Sequence, residues 1–270
     1  MIEYRTRFKR CLELWFDAPE PPGDFDVVVR HRSPRPGKKG VTTNFYTLQL
    51  DLTKSCDELF AGFDRNTRAQ IKKSTSLDDL RIEFFDHPSM IELDEFMDFY
   101  DQFAESKQLP VLHRARIHGH RDSGCLSLTR VMHEGKPLTW HANVRYMVHV
   151  GMMFSASHFR SEDSPEMRKM IGRANRRLHW EELQHYKNQG CKIYDFGGWY
   201  EGTTDKQRLL INQFKEGFGG TQVLAYTSEE QRTPLAKLIS LWNRLRGLAV
   251  RRFIPLIFLV ADGFLLPLHS

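Results

Sequence analysis

Cysteine is scarce in this chain of 270 residues, which contains only Cys11, Cys56, Cys125 and Cys191. No two of them are closely spaced, so the chain lacks the CxxC pairs from which zinc sites are commonly built. HExxH and similar metal-binding spacings are also lacking, and we therefore expect no metal centre. With no disulfide framework to maintain, a reducing cytoplasm is the expected compartment.

Long apolar runs are lacking as well. No stretch of about 18 consecutive apolar residues occurs, so the sequence predicts no ordinary membrane-spanning helix. The first residues, MIEYRTRFKRCLELWF, have neither the apolar core nor the cleavage site of a secretory signal peptide. Both observations favour a cytoplasmic location.

The composition predicts a folded protein with a basic surface. Hydrophobic residues make up 40% of the chain, which is enough to bury the core of one large α/β domain or two small ones. There are 39 basic and 34 acidic side chains, giving a formal net charge of +5. Such an excess is compatible with anionic partners such as nucleotides, RNA or a membrane, and equally with an ordinary basic surface.

Residues 23–29 are a candidate strand entry, and hydrophobic periodicity predicts an alternation of strands and helices after residue 45. Apolar and polar residues alternate in strand-like stretches at 46–52, 80–85, 126–133, 138–145, 147–158, 191–196 and 223–226. Helical spacing and N-terminal capping residues predict helices at 54–73, 89–106, 165–189 and 206–216. This order predicts an α/β (α+β) fold in which helices flank a mixed, mostly antiparallel sheet.

The segment between Tyr194 and Gly220 is the most informative part of the sequence. A helix ending at Gly190 precedes the strand YDFGG (194–198), and a second helix leads into FKEGFGG (214–220). Together with the upstream basic segment RNTRAQIKKS (65–74), these motifs resemble the catalytic half of the FemAB-like transferases and their single-domain relatives, a branch of the GNAT superfamily.

The resemblance covers residues 45 to 230 and implies a GNAT-like transferase domain at 46–230. Residues 1–45 would then be an N-terminal extension that either joins the core sheet or forms part of a second domain, and 231–270 a C-terminal tail. The implied activity is that of an acyltransferase moving an acyl or aminoacyl group onto an amine. The acceptor would be an amine-bearing sugar, or a lipid-linked peptidoglycan or surface-polysaccharide precursor.

Lys215 and Asp195 are the first candidates for the chemistry. Lys215 matches the lysine that the Fem-type enzymes place near the aminoacyl donor, where a cation would stabilise the oxyanion of acyl transfer. Asp195 lies between apolar neighbours and is either a catalytic carboxylate or a structural one. Gly197 and Gly198 permit close approach of a ligand to the backbone.

Other candidates are weaker. His141 is a candidate acid–base residue because a histidine titrates near neutral pH, although a histidine on a strand is often structural. Aromatic residues near the motifs would line the cleft or pack in the core. The predicted substrate-binding residues are Trp199, Tyr200 and Phe214, with Arg65, Arg68 and Lys72 as phosphate ligands or as one face of a solvated helix.

The donor is less well specified than the fold. The GNAT signature for the coenzyme A pyrophosphate is Q/R-x-x-G-x-G/A, and its nearest match comprises Lys169, Gly172 and Ala174. Lysine replaces the usual first residue, and the match falls inside the helix predicted from Pro165. We therefore expect no permanently bound cofactor, with either acyl-CoA or aminoacyl-tRNA as the co-substrate.

The C-terminal tail has a distinct composition. Residues 232–252 contain six basic residues and no acidic one, and an apolar segment interrupted by Pro255, Asp262 and Pro267 follows. This pattern favours either peripheral contact with an anionic membrane through 232–270 or a helix docked on the domain.

The departure from the coenzyme A signature supports an alternative to catalysis. In that alternative the chain is a GNAT-like binding module for RNA or for a partner in the cell envelope.

Overall fold

The computed structural model describes residues 1–158 and 164–242, in which ten strands form one sheet. Across the sheet the order is β1, β2, β3, β10, β4, β9, β8, β7, β6 and β5. Neighbouring strands run antiparallel except β2 with β3 and β8 with β9, which are parallel. The strands are β1 (Ile2–Arg5), β2 (Arg10–Trp15), β3 (Val27–Ser33), β4 (Val41–Asp51), β5 (Arg81–Phe85), β6 (Leu126–His133), β7 (Lys136–Tyr146), β8 (His149–Ser157), β9 (Ile193–Gly198) and β10 (Thr221–Gln231).

Six helices with defined bounds connect these strands, and helical residues 234–242 follow β10. They are α1 (Cys56–Ala61), α2 (Arg65–Leu77), α3 (Met90–Lys107), α4 (Arg114–Asp122), α5 (Pro165–Asn188) and α6 (Lys206–Glu216). The predicted mixed, mostly antiparallel sheet flanked by helices is confirmed. No helix among the residues that the structure describes is both long and apolar enough to cross a membrane.

The helices cover the two faces of the sheet separately. On one face α1, α2 and α5 pack on strands β4, β8 and β9, with Phe63, Tyr186 and Phe196 among the fully buried side chains. On the other face α3 and α4 pack around Trp140 of β7. Because successive strand residues point to opposite faces, His141 of β7 points toward α5, where its ring meets side chains of that helix.

The prediction of one helix over 54–73 is wrong, since the structure has two helices there. α1 begins after Ser55, whose side chain forms a capping box with Glu58, and it ends at Gly62. α2 then begins after a second N-cap, Asp64, whose carboxylate accepts the backbone N–H of Thr67. The periodicity continued across the break because both helices pack on the same apolar cluster.

The sequence also left several elements unpredicted. Strands β1 and β2 and helix α4 were not predicted, and β4 and β10 extend beyond the predicted 46–52 and 223–226. The bounds of β6 and α6 agree with the predicted 126–133 and 206–216. The N-terminal strands matter for the site, because β3 pairs with β10 and so lies in the same sheet as β9.

Candidate active site

The candidate site lies where strands β8 and β9 part. Their parallel pairing runs from His149 and Ile193 to Gly151 and Asp195, and no further pair follows. β8 continues to Ser157 along β7, whereas β9 continues to Gly198 along β4. Within residues 1–158 and 164–242, no strand pairs with the facing edges of β8 and β9 beyond this point, and such edges are able to bind an extended ligand.

Asp195 lies at the last paired position and is completely buried. Its Oδ1 accepts hydrogen bonds from Arg32 Nη1 at 2.9 Å and from the backbone N–H of Gly197 at 2.8 Å, and it lies 2.6 Å from Thr47 Oγ1. Its Oδ2 accepts a hydrogen bond from Gln49 Nε2 at 3.0 Å. A carboxylate with this many partners holds the surrounding backbone in place.

Two glycines form the end of β9. Gly197 has a φ of +77°, in the left-handed region that favours glycine, and a Cβ there would lie 3.1 Å from the carbonyl oxygen of Met152. Gly198 pairs with Thr47 of β4 and is exposed. The backbone can therefore turn at the mouth of the opening.

Lys215 reaches this mouth from the last turn of α6. The side chain is 9% exposed, and its Nζ donates a hydrogen bond to the carbonyl oxygen of Gly198. Burial and the neighbouring Arg32 guanidinium lower the pKa of Lys215 to about 8, while Asp195 acts in the opposite direction. Lys215 is thus a nearly dry cation whose ammonium has three donors, of which the bond to Gly198 uses one.

The three aromatic residues predicted to bind substrate, Phe214, Trp199 and Tyr200, each have a defined contact. Phe214 is half-buried under the guanidinium of Arg176, which lies 4.8 Å from its ring centroid. Trp199 is half-buried against the apolar cluster between the sheet and α5. The backbone of Tyr200 is fixed by Asn212, which bonds its N–H and its carbonyl oxygen at 3.1 and 2.7 Å.

His141 lies in a separate, buried network beneath α5. Its side chain is 0% exposed, with Nδ1 at 3.1 Å from Glu182 Oε1 and Nε2 at 2.8 Å from Asn175 Oδ1. Tyr194 donates a hydrogen bond to Glu182 Oε2 at 2.7 Å. Burial opposes ionisation of Glu182, but His141 and His179 hold the pKa of this carboxyl well below its usual range. Burial and His141 together lower the pKa of His179 to about 4.

This network contains side chains capable of binding a metal. Ligand atoms of His141, His179 and Glu182 lie within 4.8 Å of one another, a grouping that close sequence spacing did not indicate. Glu182 Oε1 already accepts hydrogen bonds from Thr129 and Asn143. Because these neighbours satisfy the carboxylate, the hydrogen-bond network accounts for the cluster without a cation.

Two of the three predicted phosphate ligands are exposed on α2, and the third is bonded to backbone carbonyl oxygens. Arg65 and Lys72 are exposed on α2, and the ammonium of Lys72 lies 5.8 Å from the Phe60 ring centroid. Arg68 donates a hydrogen bond to the carbonyl oxygen of Ala61 at 2.8 Å and another to that of Phe63, so it caps the end of α1.

The candidate coenzyme A signature lies inside α5. This helix begins at Pro165, so Lys169, Gly172 and Ala174 occupy its second and third turns. Backbone N–H groups there donate within the helix and do not face a ligand. Ala174 is fully buried, whereas the side chain of Lys169 is exposed. Any phosphate contact from this segment would come from side chains.

The sequence analysis missed several residues of the site. Arg32 and Gln49 bind Asp195 from strands β3 and β4, and Glu182 organises the network under α5. One signal was present in the sequence: the apolar run Val27–Val29 is followed directly by the polar residues Arg30, His31 and Arg32. Its partner Asp195 is 163 residues away, so spacing alone could not pair them.

Comparisons with known proteins give one family match and several structural neighbours. The profile of the acetyltransferase (GNAT) domain family matches residues 61–216. No curated protein sequence matches the chain. The crystal structure of FemX is similar, with a TM-score of 0.55 and 14% sequence identity over 78% of this chain and 68% of that one.

Two further structures have comparable coverage. A conserved protein of unknown function from Bacteroides thetaiotaomicron VPI-5482 has a TM-score of 0.50 and 8% identity over 76% of this chain and 69% of that one. The C-terminal domain of a putative lysylphosphatidylglycerol synthetase from Agrobacterium fabrum has a TM-score of 0.48 and 13% identity over 83% and 72%. At these identities the first two likenesses establish a common fold.

Proposed function

The chain belongs to the GNAT acetyltransferase domain family, and on that premise we propose that it transfers an acyl or aminoacyl group to an amine. The acceptor we propose is an amine-bearing sugar, or a lipid-linked peptidoglycan or surface-polysaccharide precursor. The observation that supports this most strongly is the opening between β8 and β9, which ends at Gly197 and Gly198 with the buried Lys215 at its mouth.

In the proposed reaction the acceptor amine attacks the donor carbonyl carbon inside the opening. A C–N bond forms, and the carbonyl oxygen becomes an oxyanion beside the ammonium of Lys215. The tetrahedral intermediate then collapses and breaks the bond to the carrier, which is C–S for a thioester or C–O for an aminoacyl ester. The proton lost by the amine neutralises the departing thiolate or alkoxide.

The other two predicted catalytic residues have supporting roles in this proposal. Asp195 holds Gly197 and the neighbouring strands through its hydrogen bonds. His141 has no exposed surface and lies beneath α5, so it stabilises the packing of that helix through Glu182. Neither side chain needs to touch the reacting atoms.

Donor recognition in this proposal rests on exposed cations of two helices that pack together. Arg65, Lys72 and Lys73 lie on α2, and Lys169 lies near the start of α5. They offer positive charge to the phosphates of either coenzyme A or tRNA. Because the backbone N–H groups at the signature positions donate within α5, we keep aminoacyl-tRNA beside acyl-CoA as the donor.

We also propose peripheral contact with an anionic membrane through the end of the chain. In helical residues 234–242 the side chains of Leu235, Leu238, Leu241 and Trp242 are all exposed, Leu238 to 64%. The sequence continues with Arg244, Arg246, Arg251 and Arg252, whose charges complement anionic lipid. Such contact would bring the site close to a lipid-linked acceptor.

A transfer assay tests the proposed function. The chain is incubated with acetyl-CoA, longer acyl-CoAs or aminoacylated bulk tRNA, together with a panel of amino sugars, and product is measured with thiol or tRNA release. Lys215→Ala is expected to lower kcat by about 100- to 1,000-fold, the loss typical of removing one oxyanion donor. Lys206→Ala, on the exposed first turn of the same helix, is the matched control and should stay within about twofold.

The opposite outcome would favour the binding-module alternative. That outcome is no transfer from any donor, with cellular function that survives Lys215→Ala but is lost when Arg65 and Lys72 are replaced.

A further inference from the structure

Arg32 enters the site from a strand outside the segment that matches the family, which spans 61–216. It lies near the end of β3, where the pairing with β10 shifts register between Tyr226 and Ser228. Its φ is +52°, in the left-handed region that side chains with a Cβ rarely adopt. Bulges and strained residues of this kind re-aim a side chain, here toward the parting of β8 and β9.

The guanidinium of Arg32 bridges the two strands at the point where their pairing ends. Nη1 donates to Asp195 Oδ1 of β9 at 2.9 Å, and Nη2 donates to the carbonyl oxygen of Met152 of β8. The rings of Trp15 and Phe45 flank it, with centroids 5.2 and 5.3 Å from Cζ. The bridge therefore takes the place of the next β8–β9 backbone pair.

Two glycines leave space for this guanidinium. A Cβ on Gly151 would lie 2.4 Å from Arg32 Nη1, and a Cβ on Gly197 would lie 3.2 Å from Nη2. Gly151 does not have a positive φ, so its backbone alone does not require glycine. A Cβ on Gly151 would also lie 3.0 Å from Cζ of Phe16. The steric room needed by Arg32 and by the Phe16 ring is therefore the physical reason for glycine at position 151.

A chain of direct contacts links Arg32 to the mouth of the site. Asp195, which Arg32 binds, also accepts the backbone N–H of Gly197. The next residue, Gly198, accepts the hydrogen bond from Lys215. A shift of the guanidinium would therefore move the glycine turn against which the lysine is placed.

We infer that Arg32 is a positioning residue of the transfer site, which cross-links β8 to β9 and so sets the width of the opening. This inference rests on the proposed function for its catalytic consequence, but the cross-link itself can be measured without substrate. Burying the ion pair between Arg32 and Asp195 costs desolvation energy. The pair is therefore better explained by its effect on the geometry of the strands than by a contribution to folding stability.

The first test measures hydrogen–deuterium exchange of the full chain without any ligand, comparing wild type with Arg32→Met and Arg32→Lys. Lysine keeps the charge but lacks the rigid planar fork through which the guanidinium donates to Asp195 and Met152 together. Both variants are expected to exchange about tenfold faster in residues 150–157 and 193–199, because local opening there becomes easier. Arg130→Met is the control, since Arg130 pairs with Glu83 and Glu95 on another part of the sheet.

A second variant reaches the same guanidinium without changing it. Gly151→Ala places a methyl group against Nη1 and is expected to raise exchange in the same two segments. This variant keeps the proposal testable if Arg32→Met fails to fold. The cross-link would be refuted if both segments exchanged at the wild-type rate in Gly151→Ala, or in an Arg32→Met variant that folds.

The catalytic consequence is measured with the donor that the wild-type enzyme uses in the panel of acyl-CoAs and aminoacylated tRNA. Both Arg32 variants are expected to lose about 100-fold in kcat with KM for the amine little changed, as when reacting groups are misplaced by about 1 Å. If the Arg32 variants exchanged faster but kept the kcat of wild type, the positioning role would be refuted. If wild type transfers from no donor, the proposed function fails while the exchange result still stands.

Discussion

Lys215 combines burial with a side-chain hydrogen bond, to Gly198, that engages one of its three ammonium donors. Its ammonium lies at the mouth of the opening and donates to Gly198, and burial together with the charge of Arg32 lowers its pKa to about 8. At pH 7 the group is still mainly protonated, so a cation is available where little water competes for it. This is the property that oxyanion stabilisation requires.

The rate of transfer should therefore depend on the protonation of Lys215. As pH rises through about 8 the cation is lost, and the activity that depends on it should fall. Lys215→Arg keeps a cation at every accessible pH, so its profile should lack this decline even if its overall rate is lower. The measurement is kcat from pH 6.5 to 9.5, normalised to pH 7, with Lys206→Arg as the control.

Acceptor amines also titrate in this range, but they do so equally for every variant. Superimposable normalised profiles for wild type and Lys215→Arg would show that Lys215 does not act as a cation in the rate-limiting step.

Single residues were predictable from the sequence where the motif was contiguous. Gly197, Gly198 and Lys215 lie within one short block, and the structure brings Lys215 to Gly198. Arg32 and Glu182 could not be found this way, because their importance depends on partners from other strands or on the face beneath a helix. Polar residues within apolar patterns indicate that a partner exists without identifying it.

Among the helices and strands, periodic segments were predicted correctly from the sequence, whereas the break between two adjacent helices was missed. The helix α6 has the predicted bounds because Asp205 caps its start and Gly217 its end. The break between α1 and α2 was missed because the capping signal at Asp64 lies within a continuous helical pattern. Strand β1 was missed because it has only four residues, and β2 because it is buried on both faces and its sequence does not alternate between apolar and polar residues.

The helical residues 234–242 carry a prediction about membranes. Leu235, Leu238 and Trp242 recur at helical spacing and are exposed, so they form an apolar stripe. Replacing all three with serine should reduce partitioning onto vesicles containing anionic phosphatidylglycerol by more than about tenfold, since each buried side chain contributes roughly 1 kcal/mol or more. Vesicle co-sedimentation of the full chain measures this.

A matched control variant and a second type of vesicle distinguish binding through this stripe from nonspecific hydrophobic adsorption. Leu77→Ser removes an equally exposed leucine, 69% accessible, from the end of α2 and should leave partitioning unchanged. Neutral phosphatidylcholine vesicles should bind wild type more weakly. Equal partitioning of wild type and the triple variant would refute the membrane proposal.

In the whole molecule, strands that lie outside the segment matching the family contribute residues to the site. Residues outside 61–216 supply β1 to β4 and β10, and from them come Arg32, Thr47 and Gln49, which all contact Asp195. The division into an extension at 1–45, a transferase domain at 46–230 and a tail stays a prediction. The structure nevertheless gives a physical reason to treat the first strands and the site together.

The proposed transfer requires that the donor bind in the opening between β8 and β9. Hydrogen–deuterium exchange of the full chain with saturating acetyl-CoA, and separately with aminoacylated tRNA, measures this most directly. We predict that one donor slows exchange in residues 150–157 and 196–199, with no change in the edge strand Arg81–Phe85. Protection confined to other segments, with these two unchanged under both donors, would contradict the claim.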